Sequence, residues 1–245
     1  MDIKTSLFPL QRLIGALPRR LRRIKVAQLM AFIAGSPYHR IKFQQGELIG
    51  NVYDSDIANY LVNQKFADYG YFELASRLLN SGDVHVDVGA NYGFHTFGLL
   101  QLPISLQIKF VLIDANPDCI ACLTESANLH PAYWFKIIHA AAAVKFGEIR
   151  FAFALSGSGR GHIGAAANSG ESEIVVPASP LDHLFEVNCI DKIALLKMDI
   201  EGSEPFAMQS LERMLSSHRV DFIYFEVNPN CLQLQKTSPE ALFKE

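Results

Sequence analysis

The sequence predicts an α/β fold of the Rossmann-like, doubly wound kind, with a mainly parallel sheet covered by helices on both faces. Three observations predict it. From Val84 onward, short apolar runs alternate with amphipathic stretches of helical length. Three of those runs (Val111-Leu112-Ile113, Ile193-Ala194-Leu195-Leu196 and Phe222-Ile223-Tyr224-Phe225) are continuously apolar, as strands buried on both faces must be. A glycine-bearing turn, Gly89-Ala90-Asn91-Tyr92-Gly93, follows the first run, where the ligand-binding turn of such a sheet belongs.

Residues 10–34 read as helical with a break at Pro18, and residues 57–80 as one or two helices carrying Ile57, Leu61, Phe66, Tyr71, Leu74 and Leu78 on one side. Ser81-Gly82-Asp83 ends that run. The first strand is Val84–Val88, followed by a helix from Tyr92 to Leu102. The second strand, Phe110–Ile113, leads into a helix reaching Leu129. Asn116 suits its cap, Pro117 its first turn and Asp118 its dipole. Phe135–Ala140 and Ile193–Met198 are the third and fourth strands. A helix over Glu204–Ser216, capped by Ser203, precedes a fifth strand at Asp221–Val227.

One stretch breaks the alternation. Glu148–Leu155 and Ser172–Ala178 read as strands joined by the Gly-, Ala- and Ser-rich segment Ser156–Gly170, so an inserted β-hairpin with a mobile loop is expected over about residues 146–180. About sixteen residues follow Pro229, too few for the terminal strand pair that many such domains carry. The expected organisation is a basic, mainly helical N-terminal extension over 1–56 and a catalytic domain over 57–245.

Charge is unevenly spread. The chain carries a net charge of -3, yet residues 1–46 hold nine Lys or Arg and a single acid, Asp2. Such a segment suits a transit peptide, a helix in weak contact with a membrane surface, or a solvated extension resting on the acidic body, the last being the simplest. The acidic body argues against a nucleic-acid partner. Apolar stretches reach about ten residues, short of a membrane span. Four scattered cysteines suit a reducing, cytoplasmic setting and not a disulfide framework. Cys119 and Cys122 form a CxxC inside a helix with no second ligand pair, so core packing explains them.

The chemistry concentrates at three strand ends. In the first, Asp87-Val88-Gly89-Ala90-Asn91-Tyr92-Gly93, the glycines allow a sharp turn and close ligand approach. Their spacing, G-x-x-x-G, differs from the dinucleotide pattern G-x-G-x-x-G. Asp87 would sit badly beside a diphosphate and well beside a cationic ammonium or sulfonium group. In the second, Asp114 ends its strand 25 residues after Gly89, the place of an acid that binds ribose hydroxyls. The third is Lys197-Met198-Asp199-Ile200-Glu201-Gly202. Its two carboxylates can deprotonate a hydroxyl, orient it or hold a divalent cation; a salt bridge with Lys197 is the structural alternative. His95 is a further candidate base. Arg160 and His162, in the Gly-rich segment, can meet an anionic acceptor or simply face solvent.

The succession VDVGANYGFHT, IDANP, LDHLF, LLKMDIEGSE and YFEVNP resembles the FkbM-type methyltransferases over about residues 70–230. The resemblance implies transfer of a methyl group from S-adenosyl-L-methionine to a hydroxyl, often of a sugar, glycolipid or secondary metabolite. It carries Asp87, Gly89, Asn91 and Gly93 over as the cofactor loop, Asp114 as the ribose acid, and Lys197, Asp199, Glu201 and Gly202 as the active-site strand end. Glu73 matches a glutamate that faces the cofactor. Ala90, Asn116 and Ala141 complete the cofactor candidates. Two other readings remain on the sequence alone: a dinucleotide-dependent oxidoreductase, disfavoured by the glycine spacing, and a non-catalytic domain of the same shape.

Overall fold

The computed structural model describes residues 32, 35–42, 46–54, 57, 60, 68–154, 157–164, 171–234 and 238. The expected basic helix over 10–34 lies almost wholly outside these residues, and its proposed transit or membrane roles with it. Among the described residues no helix is long and apolar enough to cross a membrane.

The first two strands, β1 (Tyr38–Lys42) and β2 (Glu47–Asn51), pair antiparallel. This hairpin, within the segment expected to be mainly helical, is an element the sequence reading lacked. Helix α1 (Tyr69–Leu78) follows, its first turn capped by the Asp68 carboxylate, which accepts the Tyr71 N–H at 3.0 Å. Strand β3 (Val84–Val88) leads to the short helix α2 (Phe94–Gly98) and a 3₁₀ turn over Leu99–Gln101. The sequence reading began this helix at Tyr92. It starts later because Asn91 and Gly93 adopt positive φ (51° and 82°), so the chain is still turning there.

Strand β4 (Lys109–Asp114) precedes α3 (Pro117–Asn128), whose cap is the expected one: Asn116 Oδ1 accepts the Asp118 N–H at 3.0 Å and Pro117 opens the first turn. The hairpin leans on α3, where the Ile49 N–H donates to Ser126 Oγ at 2.7 Å. After β5 (Trp134–His139) comes the inserted sheet: β6 (Ala141–Ala142), β7 (Gly147–Ala154), β8 (Gly157–Ile163) and β9 (Glu171–Ser179), ordered β6-β9-β7-β8. The expected pair is present as β7 and β9, antiparallel from Gly147↔Ala178 to Ala154↔Glu171. The connecting segment is not simply a loop. Its residues 157–163 form β8 against the free edge of β7.

Helix α4 (Leu181–Val187) returns the chain to β10 (Ile193–Met198), then α5 (Glu204–Gln209), α6 (Glu212–Ser216), β11 (Val220–Phe225) and α7 (Pro229–Leu234). A single helix was expected over Glu204–Ser216. It breaks at Ser210 because the start of α4 docks there: the Ser210 carbonyl accepts the Asp182 N–H at 3.0 Å and Ser210 Oγ accepts the Leu181 N–H at 3.1 Å.

The central sheet is all parallel, in the order β11-β10-β3-β4-β5. One face buries Phe110, Leu112 and Leu195 against Tyr71, Phe97 and Leu123 of α1, α2 and α3. The other buries Val88, Val111 and Leu196 against Phe185, Ala207 and Met214 of α4, α5 and α6. Helices therefore cover both faces, as the sequence predicts, and the C-terminal ends of β3, β4 and β10 share one edge. Order reverses between β3 and β10, which opens a crevice for a ligand there.

Candidate active site

The turn after β3 is shaped by what lies against it. Gly89 has φ 74°, and a Cβ there would come within 2.0 Å of the Asp199 carbonyl oxygen at the end of β10. Only glycine permits that approach. The Gly89 and Ala90 N–H groups donate to the Ile113 carbonyl at 2.9 and 3.1 Å, anchoring the turn to β4. At Gly93 an added Cβ would meet the Phe97 ring at 2.5 Å.

Asp87 does not face the crevice. It is fully buried beneath the turn, 3.0 Å from Lys197 Nζ, and its second oxygen accepts the Thr96 hydroxyl at 2.9 Å. Burial alone would push its carboxyl up. The Lys197 ammonium wins and holds it below the ordinary carboxylate range. Burial likewise works to lower Lys197, and Asp87 raises it overall. Lys197 also reaches the Gly89 carbonyl at 3.5 Å and Asp199 Oδ2 at 3.8 Å. The charge expected to meet a cationic ligand is thus already neutralised from below.

Asp114 stands differently. Its Oδ2 accepts the Asn91 N–H at 2.7 Å and its Oδ1 the Asn116 N–H at 2.8 Å, with no cation within salt-bridge reach among the described residues. Burial raises its pKa to about 6 against the pull of those two N–H groups. Asn91 is held in its left-handed conformation by this bond, and its Oδ1 accepts the Cys119 thiol at 3.3 Å.

Beyond β10 the chain makes a second strained turn. Glu201 has φ 52° and Gly202 φ 94°; a Cβ on Gly202 would lie 2.5 Å from the Cys231 carbonyl of α7. Glu201 Oε2 accepts the Cys231 thiol at 3.0 Å, and burial raises the Glu201 carboxyl. Ser203, expected to cap α5, makes no cap hydrogen bond. Glu204, itself buried, accepts the Ile200 N–H at 2.9 Å, closing the turn before the helix.

Six sequence-predicted residues line one cleft: Gly89, Asn91, Asp114, Ala141, Asp199 and Glu201. Of the other candidates, Lys197 and Asp87 lie below the cleft floor, while Ala90 and Gly93 shape the turn and Asn116 caps α3. His95 leans on Asp68, with Nε2 3.3 Å from Oδ2; Tyr224 donates to the same oxygen at 3.1 Å. Those contacts bring the Asp68 carboxyl down to about 2. Glu73 points outward on α1 and pairs with Arg77. Phe151 and Ser203 line the cleft without having been anticipated. His162 lines it too, which resolves its two readings toward the cleft. Thr96 was also missed, although its hydroxyl three residues after Gly93 was a usable signal. Among the described residues no three His, Cys, Asp or Glu side chains are placed to hold a metal ion, so the divalent cation finds no support.

The model of the FkbM methyltransferase domain matches residues 87–242. Among solved structures, the methyltransferase FkbM from Methylobacillus flagellatus is 16% identical, with a TM-score of 0.43 over 87% of this chain and 46% of that one. The tRNA (uracil-54, C5)-methyltransferase of Pyrococcus abyssi, solved with S-adenosyl-L-homocysteine, is 10% identical, with a TM-score of 0.41 over 82% of this chain and 37% of that one. The chain spans less than half the length of either structure. No curated protein matches it.

Proposed function

This chain belongs to the FkbM methyltransferase family, and from that premise we propose that it transfers a methyl group from S-adenosyl-L-methionine to a hydroxyl of a sugar, glycolipid or secondary metabolite. The observation that carries the reading is the pairing of Asp114 with Gly89 and Asn91 of the turn after β3 in one cleft. Each Asp114 oxygen already accepts one backbone N–H and keeps a lone pair for a ribose hydroxyl. The turn brings Gly89 and Asn91 to the cleft, with Gly89 lying directly against the Asp199 carbonyl. The residues present therefore fit an adenosyl cofactor, which supplies a methyl group already activated on sulfonium.

The protein's own part is alignment and proton removal. Asp199 lines the cleft at the end of β10, with Lys197 Nζ 3.8 Å from its Oδ2 to orient it. It is placed to accept the proton of the attacking hydroxyl. Glu201, fixed by Cys231, orients the acceptor from the adjoining turn. His95, engaged with Asp68 and outside the cleft lining, is the weaker base.

Calorimetric titration with S-adenosyl-L-homocysteine, with NAD in parallel, tests the cofactor. Micromolar binding of the former alone supports the reading; binding of NAD alone, or of neither, overturns it. Asp199→Asn tests the base: turnover of an accepted sugar should collapse while S-adenosyl-L-homocysteine affinity holds. Loss of both together would make Asp199 structural.

A further inference from the structure

We propose that Cys231 of α7 is a positioning residue, its thiol holding the Glu201 carboxylate in the orientation that meets the acceptor. The inference rests on the reading above, in which Glu201 orients the acceptor, and deepens it. It brings in a residue outside the motifs that carry the family resemblance.

The contact is built from both sides. Asn228 caps α7, its Oδ1 accepting the Asn230 N–H at 3.2 Å and the Cys231 N–H at 3.4 Å. Pro229 opens the first turn, and Leu232, next to Cys231 in the helix, is buried. On the other side, Glu201 (φ 52°) and Gly202 (φ 94°) turn the chain away from the end of β10. Gly202 lies so near α7 that a Cβ on it would be 2.5 Å from the Cys231 carbonyl. A residue with a side chain keeps a left-handed backbone only where its surroundings hold it there. With the two backbones pressed together, Cys231 Sγ stands 3.0 Å from Glu201 Oε2 and donates to it. Glu201 itself lines the cleft.

The charges around Glu201 explain why a donor is needed. Burial raises its carboxyl, and Asp199 after β10, Glu226 after β11 and Glu204 of α5 push the same way. The same cleft holds Asp114 and His162. The ammonium near Asp199, that of Lys197, is already engaged with Asp87. The thiol hydrogen bond works in the opposite sense and draws Glu201 back toward its charged form. A thiol suits this task because it keeps its own proton: burial first, and then the Glu201 carboxylate, push Cys231 up to about 12. It therefore stays a donor near neutral pH, is a poor nucleophile, and adds no charge to the site.

The test is a pH titration, followed by nuclear magnetic resonance, of the ligand-free full chain carrying isotope-labelled glutamate. The Glu201 carboxyl signal is identified by its absence from Glu201→Gln. Its wild-type midpoint should lie above the ordinary glutamate range. Cys231→Ala should raise it further, by about half a pH unit. Cys231→Ser, whose hydroxyl can donate in the thiol's place, should return it to the wild-type value or below. A cysteine that merely fills space would lower the melting temperature in both variants and leave the midpoint unmoved, which would overturn the inference. Calorimetry with S-adenosyl-L-homocysteine separates this inference from the reading beneath it. Equal affinity in the wild type and both variants supports a carboxylate on the acceptor side. A fall confined to Cys231→Ala would put Glu201 on the cofactor side and overturn the inference. Failure of the wild type to bind S-adenosyl-L-homocysteine would instead bring down the cofactor reading, and this inference with it.

Discussion

Two aspartates end neighbouring strands of the central sheet, both nearly sealed from solvent, and their surroundings pull them in opposite directions. Asp87 at the end of β3 has a buried ammonium at 3.0 Å and sits below the ordinary carboxylate range. Asp114 at the end of β4 has only two backbone N–H groups and is raised to about 6. A carboxylate given a counterion serves the fold. One left with hydrogen bonds and spare lone pairs holds an unmet demand, which a ligand can answer. The sequence alone could not separate the two, because both follow an apolar strand and both precede a turn.

The largest effect that would break this comparison is removal of the counterion. Lys197→Met should leave Asp87 buried and unpaired and destabilise the protein by about 3–5 kcal/mol, read as a fall in the denaturant midpoint. Asp87→Leu placed on top of it should restore much of the loss, since an apolar pair can replace a buried ion pair. If the double variant is no better than the single one, Asp87 does more than neutralise Lys197. The signs of the two shifts also set the pH window. Asp87, depressed in the fold, contributes stability above about 4 that is lost as pH falls; Lys197, raised, contributes below about 10 what is lost as pH climbs.

Asp114 should behave in the reverse sense. Asp114→Ala is expected to weaken S-adenosyl-L-homocysteine by on the order of tenfold or more, the worth of a charge-assisted hydrogen bond. Its pH dependence sharpens the point. Because the folded carboxyl is raised to about 6, its contribution to stability is present below about 4 and is lost as pH rises through about 6. Ligand affinity should move the other way, flat above about 6 and down about tenfold by pH 5, where the acceptor is protonated. Calorimetry across that span in the wild type and in Asp114→Asn would show the inflection vanish in the variant. An inflection that survives belongs to another group.

What could be read in advance followed from how local the cause was. Strand β10 coincides with the apolar run Ile193–Met198 because a strand buried on both faces leaves its mark in consecutive residues. The Asn116-Pro117 cap is a three-residue affair and was legible for the same reason. Asp87 could be found but not assigned, since its partner Lys197 lies 110 residues along the chain. Strand β8 has no signature of its own: Gly157-Ser158-Gly159-Arg160-Gly161 is poor strand material, held in place by the edge of β7. Ser203 misled in an instructive way. Its local context says helix cap, yet Pro205 in the first turn has no N–H to give and the Phe206 N–H bonds the Ser203 carbonyl instead of its hydroxyl.

The smallest expected effect tests how far family resemblance can be carried without geometry. Glu73 was matched to a cofactor-facing glutamate, yet it sits on the outer side of α1 with its side chain 68% exposed, paired with Arg77 one helical turn on. An exposed i,i+4 pair of this kind contributes about 0.3–0.5 kcal/mol at most, so Glu73→Ala should shift the melting temperature by no more than a degree or two. S-adenosyl-L-homocysteine affinity should not change, in contrast with Asp114→Ala measured beside it. A loss of affinity at Glu73 would mean that α1 turns this side chain inward when the cleft fills. The comparison between sealed and ligand-seeking carboxylates would then have to include a third kind, one recruited only on binding.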